Sequence, residues 1–299
     1  MTNQQRCGTV AVVGAPNAGK STLVNALVGQ KVAIVSNKVQ TTRTRLMGIA
    51  VDGDAQLLLI DTPGIFAPRR RLDRAMVRAA WEGASGADVI AFVVDAKTGF
   101  RTDAAAILQA MATRKEPKLL VLNKVDITNK GKLLDLATHA AGIAHFDETF
   151  FIAAETGDGI PELKAALAAK LPLSPWHFPE DQVSDATTRL MAAEITREQL
   201  YRQLHAELPY SAAVETEKWE DRKDGSTVIH QQILIERDSQ KAIVLGKGGA
   251  RLKEIGSVAR AEIATLTGRK VHLFLHVKVK PDWSEDRDVY KGMGLDWSE

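Results

Sequence analysis

The chain predicts an α/β protein: a doubly wound, mostly parallel sheet carrying a phosphate-binding loop, followed by a smaller α+β domain. Three observations point there. In the first half, runs that are apolar on both faces alternate with amphipathic stretches, as strands covered by helices on both sides do. Gly14–Ser21 reads G-x-x-x-x-G-K-S between an apolar run and a helix-like run, the spacing of a loop that cradles phosphates. Beyond Leu171 the alternation stops at Pro172, Pro175 and Pro179, a stretch that cannot be helix interior and reads as a linker.

Composition bounds the answer. A length of 299 residues suits about two domains. Hydrophobic content of 45% and charged content of 25% are ordinary for a globular protein. The net charge of +2 names no partner. Cys7 is the one cysteine, so no internal disulfide is possible, and a reducing, cytoplasmic setting is expected. No apolar run approaches membrane-spanning length and the N-terminus lacks a signal-peptide core. Peripheral contact with a membrane stays open.

In order, strands are expected over 9–14, 46–51, 56–61, 89–95, 118–123 and 149–153. Helices are expected over 21–28, 72–83, 104–112, 130–139 and 160–170. Runs such as Leu57-Leu58-Leu59-Ile60 and Leu119-Leu120-Val121-Leu122 are apolar on both faces, as buried parallel strands require. In such sheets the ligand lies beyond the carboxyl ends of the strands, and the chemical residues below all follow strand ends.

Gly14 and Gly19 allow backbone shapes that a side chain would block. The backbone of Gly14, Ala15, Pro16, Asn17, Ala18 and Gly19 then turns its N–H groups inward as an anion nest. The helix opening at Lys20, Ser21 and Thr22 adds its positive end. Lys20 can reach the β- and γ-phosphates, and the Ser21 hydroxyl can ligate Mg²⁺. The polar stretch 37–45 is a candidate switch, in which Thr42 or its neighbour Thr41 offers a hydroxyl to Mg²⁺ and an N–H to the γ-phosphate. Asp61-Thr62-Pro63-Gly64 follows the buried second strand of the pair. Asp61 can hold Mg²⁺ through its water shell, and Gly64 can bring an N–H to the γ-phosphate. A loop that touches only that group relaxes once it is gone. Asn123-Lys124-Val125-Asp126 ends another buried strand. The Asp126 carboxylate can accept from guanine N1–H and the exocyclic amine together, a donor pair that adenine lacks. Asn123 can bond the purine edge, and the Lys124 stem can cover the ring.

These signatures, in this order, resemble the translation-factor-related class of small GTPases. The resemblance implies GTP and GDP as ligands, with Mg²⁺, and Lys20, Thr42, Gly64 and Asn17 acting at the transferred phosphoryl group. Two departures stand out. Where the class carries Ser-Ala after the next strand, this chain has Ala153-Ala154; Ala154 can still offer its N–H to guanine O6. Where many Ras-like enzymes place a water-orienting glutamine, this chain has Ile65, so slow intrinsic turnover is expected. In relatives with G-x-P-N-x-G-K-S the asparagine helps hold K⁺, which implies K⁺-stimulated hydrolysis through Asn17. The competing reading makes Asn17 a residue that shapes the loop. Arg69-Arg70-Arg71 is a basic triplet that reads as solvated surface, with RNA backbone or regulation as the other option.

Residues 1–171 thus form the first domain, 172–185 the linker and 186–299 the second domain. There a long helix is expected from Ala186 to about His205, with strands over 212–220 and 227–236 joined by a turn at Arg222-Lys223-Asp224-Gly225. A helix over 240–245, the glycines Gly246-Lys247-Gly248-Gly249, a helix over 250–265 and a strand over 270–279 complete it. G-x-x-G between two short helices, in this element order, resembles the bacterial, type II, KH domain, whose glycines let the backbone approach single-stranded nucleic acid. Residues 241–280 hold nine Lys/Arg against two acids, a net +7, and a concentrated basic face favours a phosphate backbone. Gly246, Lys247, Gly248, Gly249, Arg251 and Lys253 are the candidate contacts.

With Lys-Val-Gln-Thr-Thr-Arg at 38–43 and Ile-Val-Leu-Gly-Lys-Gly-Gly-Ala at 243–250, the whole chain resembles the bacterial family in which an Era-like GTPase domain precedes a KH domain. That resemblance implies binding to the 3′ end of 16S ribosomal RNA, not DNA, a role in maturing the 30S subunit, a monomer, and peripheral association with the cytoplasmic side of the inner membrane. The alternatives are a GTPase whose second domain docks protein, and a plain ATPase.

Overall fold

The computed structural model describes residues 5–36, 38, 41–43, 46–204, 212–287, 290 and 295–297. Asn37, Val39, Gln40, Thr44 and Arg45 of the first candidate switch, and the expected helix end at His205, lie outside them. The chain divides into two compact units that are not continuous in sequence. Met1–Ala33, Thr42–Asp185 and Met293–Glu299 make one; Ile34–Thr41 and Ala186–Gly292 make the other.

The first unit runs β1 (Arg6–Val13), α1 (Lys20–Val28), β2 (Leu46–Asp52), β3 (Ala55–Asp61), α2 (Arg71–Ser85), β4 (Val89–Asp95), α3 (Thr102–Thr113), β5 (Lys118–Asn123), α4 (Lys130–Ala141), β6 (Glu148–Ile152) and α5 (Ile160–Lys170). The strand order is β2-β3-β1-β4-β5-β6. Only β2 runs antiparallel, to β3. Period-two alternation sends Val10, Val12, Leu57, Leu59, Leu119 and Val121 to the face under α1 and α5. Ala11, Val13, Phe92, Val94, Leu120 and Leu122 face α3 and α4. Both faces are therefore dry, which is why these strands read as unbroken apolar runs. Each fully buried Leu or Val contributes about 1.5–3 kcal/mol.

Helix starts follow side-chain acceptors. Asp73 accepts the N–H groups of Arg69 and Arg70 (3.1 and 3.0 Å), and Asn129 accepts from Gly131 (2.8 Å), as N-terminal caps do. The linker lies against the first unit. Trp176 Nε1 donates to the Asp54 carbonyl (3.0 Å), and Gln56 accepts from the His177 and Phe178 N–H groups (3.0 and 3.1 Å). Trp176 and Phe178 pack on Cys7, Ile49 and Leu58.

The second unit holds α6 (Thr188–Gln203), β7 (Ala212–Asp221), β8 (Thr227–Ile235), α7 (Asp238–Leu245), α8 (Ala250–Thr267) and β9 (Val271–Val279). The sheet order is β7-β8-β9, antiparallel then parallel. Ala192, Ile195 and Leu200 of α6, Val244 of α7 and Ile255, Ala259 and Ile263 of α8 close its core. The long helix begins two residues later than Ala186 because Thr187 caps it, accepting from Leu190 (3.2 Å). Its burial also differs from an amphipathic expectation: Met191–Tyr201 are buried without interruption, Glu194, Arg197 and Glu198 included. Among the described residues no helix is long and apolar enough to cross a membrane.

Candidate functional site

The loop after β1 lies at the carboxyl edge of the sheet. Lys20, first residue of α1, is buried and donates to the Gly14 and Ala15 carbonyls (3.2 and 3.0 Å). Gly19 sits at φ 95°, and a Cβ there would lie 2.2 Å from Asn123 Nδ2, so the spacing needs glycine twice over. Gly64 is required by proximity: a Cβ would lie 2.9 Å from Pro16. The Ile65 N–H donates to the Gly14 carbonyl (3.1 Å), so the loop after β3 is hydrogen-bonded to the first loop. Pro63 is buried beside it. Thr62 serves the scaffold, its hydroxyl donating to the Val12 carbonyl (2.8 Å). The Ile65 side chain joins the core beside Ala11 and Val13 and presents nothing polar to a water.

Three oxygens converge at the start of α1. Ser21 Oγ lies 2.8 Å from Asp61 Oδ2. Thr42 Oγ1 lies 2.9 Å from Ser21 Oγ and 3.1 Å from the same Asp61 oxygen. Thr41 turns away: its hydroxyl meets Ser36 Oγ (2.6 Å) and donates to the Lys38 carbonyl (2.7 Å). Of the two threonines left open by sequence, Thr42 is the one whose hydroxyl reaches the cluster. Two hydroxyls and one carboxylate are hard, sparse donors, which suits Mg²⁺ sharing its shell with phosphate and water. Among the described residues no group of three or more His, Cys, Asp or Glu could hold a metal. Thr22 follows on α1, part-buried. Asn17 is exposed at φ 62°.

The base-side loops are tied together by one side chain. Asn123, expected at the purine edge, is buried and bonds the scaffold. Its Nδ2 donates to the Ala18 carbonyl (3.0 Å), and its Oδ1 accepts from Lys124 N–H (2.8 Å) and Ala154 N–H (3.0 Å). It ties three loops together. The Ala154 N–H, expected at guanine O6, donates to Asn123 in this structure; among the described residues the next N–H, of Glu155, has no protein acceptor. Ala153 pairs with Asp158 (3.0 Å) and holds the loop closed. Lys124 Nζ donates to Asp95 Oδ2 (2.7 Å) and to the Asn17 carbonyl (2.9 Å), crossing between the two loops. Asp95 was missed by motif, although it ends β4, and the strand-end rule singles it out. Val125 opens a short 3-10 turn, on which Asp126 is exposed.

Burial pushes the Lys20 ammonium down to about 8, with Asp61 opposing. Phosphate beside it restores the ordinary range, so binding takes up a proton only where the free lysine has lost one. We expect nucleotide affinity to be flat below pH 8 and to fall by up to about tenfold per pH unit above it. Calorimetry at pH 9 in buffers of different ionisation enthalpy should report uptake of about one proton; a flat profile to pH 10 would refute it.

In the second unit, α7 ends at Leu245 and Gly246–Gly249 turn the chain into α8. Lys247, Gly248 and Lys253 are exposed. Arg251, expected to face nucleic acid, is part-buried and donates to the Ile243 carbonyl (3.3 Å), covering the end of α7. Ile243 and Val258 are 48% and 44% exposed, apolar surface on the two helices flanking the turn. Charge counting overlooked them; an apolar residue at an outward helical position beside G-x-x-G was the available signal.

Similarity to known proteins fits both sites. Residues 9–124 match the family described as 50S ribosome-binding GTPase, and residues 207–284 match the KH domain. GTPase Era of Erythrobacter litoralis is 58% identical over 296 residues, 98% of this chain and 97% of that one. This chain belongs to the Era family of GTPases. Era of Afipia carboxidovorans is 56% identical over 98% of this chain and 95% of its own length. Among solved structures, Era in complex with MgGDPNP and nucleotides 1506–1542 of 16S ribosomal RNA aligns with TM-score 0.91 and 38% identity, covering 97% of this chain and 99% of that one. A variant of Aquifex aeolicus Era bound to GDP and aluminium fluoride aligns equally well. The fold is thus a phosphate-loop GTPase unit joined to a KH domain.

Proposed function

We propose that this chain is a GTP-driven switch that binds the 3′ end of 16S ribosomal RNA through its KH domain and acts in maturing the 30S subunit. The domains proposed are the GTPase over 1–171, the linker over 172–185 and the KH domain over 186–299. The observation that carries the reading is its likeness over nearly the whole chain to Era solved with MgGDPNP on that RNA. Gly14–Thr22 hold the phosphates, Ser21, Thr42 and Asp61 are the residues that would hold Mg²⁺, and Asp126 reads the base. Mg²⁺ bound there supplies charge neutralisation at the β- and γ-phosphates. Lys20 stays on the same phosphates, and Thr42 and Gly64 bring the two switch loops to the γ-phosphate. With Ile65 in the core, no side chain at that position orients water, so intrinsic turnover is slow. Gly246–Gly249, with Lys247 and Lys253, meet the RNA backbone. The protein works as a monomer in the cytoplasm, and any hold on the inner membrane is peripheral.

Fluorescence anisotropy with an RNA carrying the 3′ end of 16S ribosomal RNA tests this, run with GDPNP and with GDP. Tighter binding in one nucleotide state is expected. Equal binding in both, or none to this RNA over an unrelated single strand, would end the reading.

Asn17 is exposed with no side-chain hydrogen bond among the described residues, which leaves its side-chain amide oxygen available to K⁺. We expect GTP hydrolysis to run about a hundredfold faster in KCl than in matched NaCl, one preorganised electrostatic group at developing charge being worth about 10²–10³ in rate. Asn17→Ala should erase the difference. Equal rates for the unaltered protein would dismiss K⁺.

A further inference from the structure

Helix α6 carries a polar stripe where a core stripe belongs. Glu194, Arg197, Glu198 and Tyr201 follow i, i+3, i+4, i+7, the spacing of one helix face, and all four are buried. Arg197 pairs with Glu194 (2.8 and 2.5 Å) and lies over the Tyr201 ring (5.2 Å). What the stripe meets lies in the same unit, the segment Ile34–Thr41. Glu198 Oε1 accepts the Val35 N–H (3.0 Å). Arg197 Nη2 donates to the Thr41 carbonyl (2.5 Å). Lys38 Nζ donates to the Leu204 carbonyl at the helix end. Two of these contacts are to backbone atoms, at Val35 and Thr41, so they hold the chain at those two points whatever their side chains. The next residue is Thr42, one peptide bond on, whose hydroxyl meets Ser21 and Asp61.

We infer that Arg197 and Glu198 are positioning residues for the GTP state: by gripping the backbone at Thr41 and Val35 they aim Thr42 at the Ser21–Asp61 cluster. The inference rests on the proposed role of Thr42 at Mg²⁺ and the γ-phosphate. GDP makes no γ-phosphate contact, so a loosened grip acts on GTP and spares GDP. Linkage makes the coupling reciprocal: whatever holds Thr42 in place also biases α6.

The test uses the full chain carrying Glu194→Gln with Arg197→Gln, which removes the charged hold on Thr41, leaving Glu198 on Val35, without stranding a buried carboxylate. Affinities for GDPNP and for GDP are measured with Mg²⁺, alongside single-turnover hydrolysis. Losing a charge-assisted hydrogen bond should weaken GDPNP and slow hydrolysis by about tenfold each, with GDP unchanged within about twofold. GDPNP and GDP weakened together mark a merely structural role and overturn the inference, as does no change in either. Should the double variant fail to melt cooperatively, Glu198→Ala and Glu198→Gln carry the same measurement. The amide still accepts from Val35, so alanine should lose GDPNP affinity and glutamine should retain it; equal behaviour of the two overturns the inference. Thr42→Ala separates the layers. If it leaves the GDPNP to GDP ratio unchanged, the role given to Thr42 is wrong and the inference falls with it. If it lowers that ratio while the α6 variants do not, only the inference fails.

Discussion

Asp126→Asn is expected to exchange guanosine nucleotides for xanthosine nucleotides. Asp126 stands exposed on the 3-10 turn Val125–Ile127, directly after β5, and its carboxylate has no hydrogen-bond partner among the described residues. The substitution therefore costs the fold almost nothing. At the base it removes an acceptor pair that matches guanine N1–H and the exocyclic amine, and it points an amide N–H₂ at those same donors. Sites built to hydrogen-bond a ligand reject one that leaves them mismatched by factors of about 10⁴, so a loss of about a thousandfold for GDP is a conservative expectation. Xanthine carries a carbonyl where guanine carries the amine, and that carbonyl accepts from the new amide. Competition binding with GDP, XDP and ADP reads the exchange directly. The asparagine variant keeping its guanine preference would remove base reading from Asp126, and ADP held as tightly as GDP by the unaltered chain would leave a plain ATPase.

The second large effect lies in the KH domain. Lys247→Glu combined with Gly248→Asp should abolish measurable RNA binding while leaving GDP affinity intact. Both positions are exposed. A Cβ on Gly248 would meet nothing within 4 Å, and its φ of 59° lies in the left-handed region, which aspartate enters more readily than most residues. The fold thus accepts the change, whereas an RNA backbone lying on the turn meets two new negative charges and has lost one positive charge. We expect a loss of about a hundredfold or more at moderate salt, and Lys247→Gln alone should lower the salt slope by about 0.7–1. Retained, salt-dependent RNA binding in the double variant would move the interface elsewhere. Unaltered protein that ignores RNA but captures a protein partner would favour the docking alternative.

Much of this molecule was legible from short runs of residues. A glycine-rich loop, a strand-end aspartate and a G-x-x-G turn each work through backbone geometry set within a few neighbours, so the order of types along the chain already specifies them. The buried strands were legible for a similar reason, since a strand covered on both faces has no polar side to show. Sequence was silent where the outcome depends on a distant partner. Asn123 and Ala154, assigned to the base by their motif, also bond each other, 31 residues apart, and Asn123 bonds the Ala18 carbonyl, 105 residues away. Arg251, assigned to RNA by charge, also reaches the Ile243 carbonyl at a helix end.

By itself, then, the sequence determined the nucleotide class, the sheet and the presence of a basic G-x-x-G turn, because each rests on local spacing and on burial of both strand faces. Only the tertiary structure decided that Thr42 and not Thr41 joins Ser21 and Asp61, and that the charged stripe of α6 is buried and bonded to the backbone at Val35 and Thr41. The two threonines are alike in every local property. What separates them is where each lies in the folded chain, and the holds at Val35 and Thr41 come from residues more than 150 positions away.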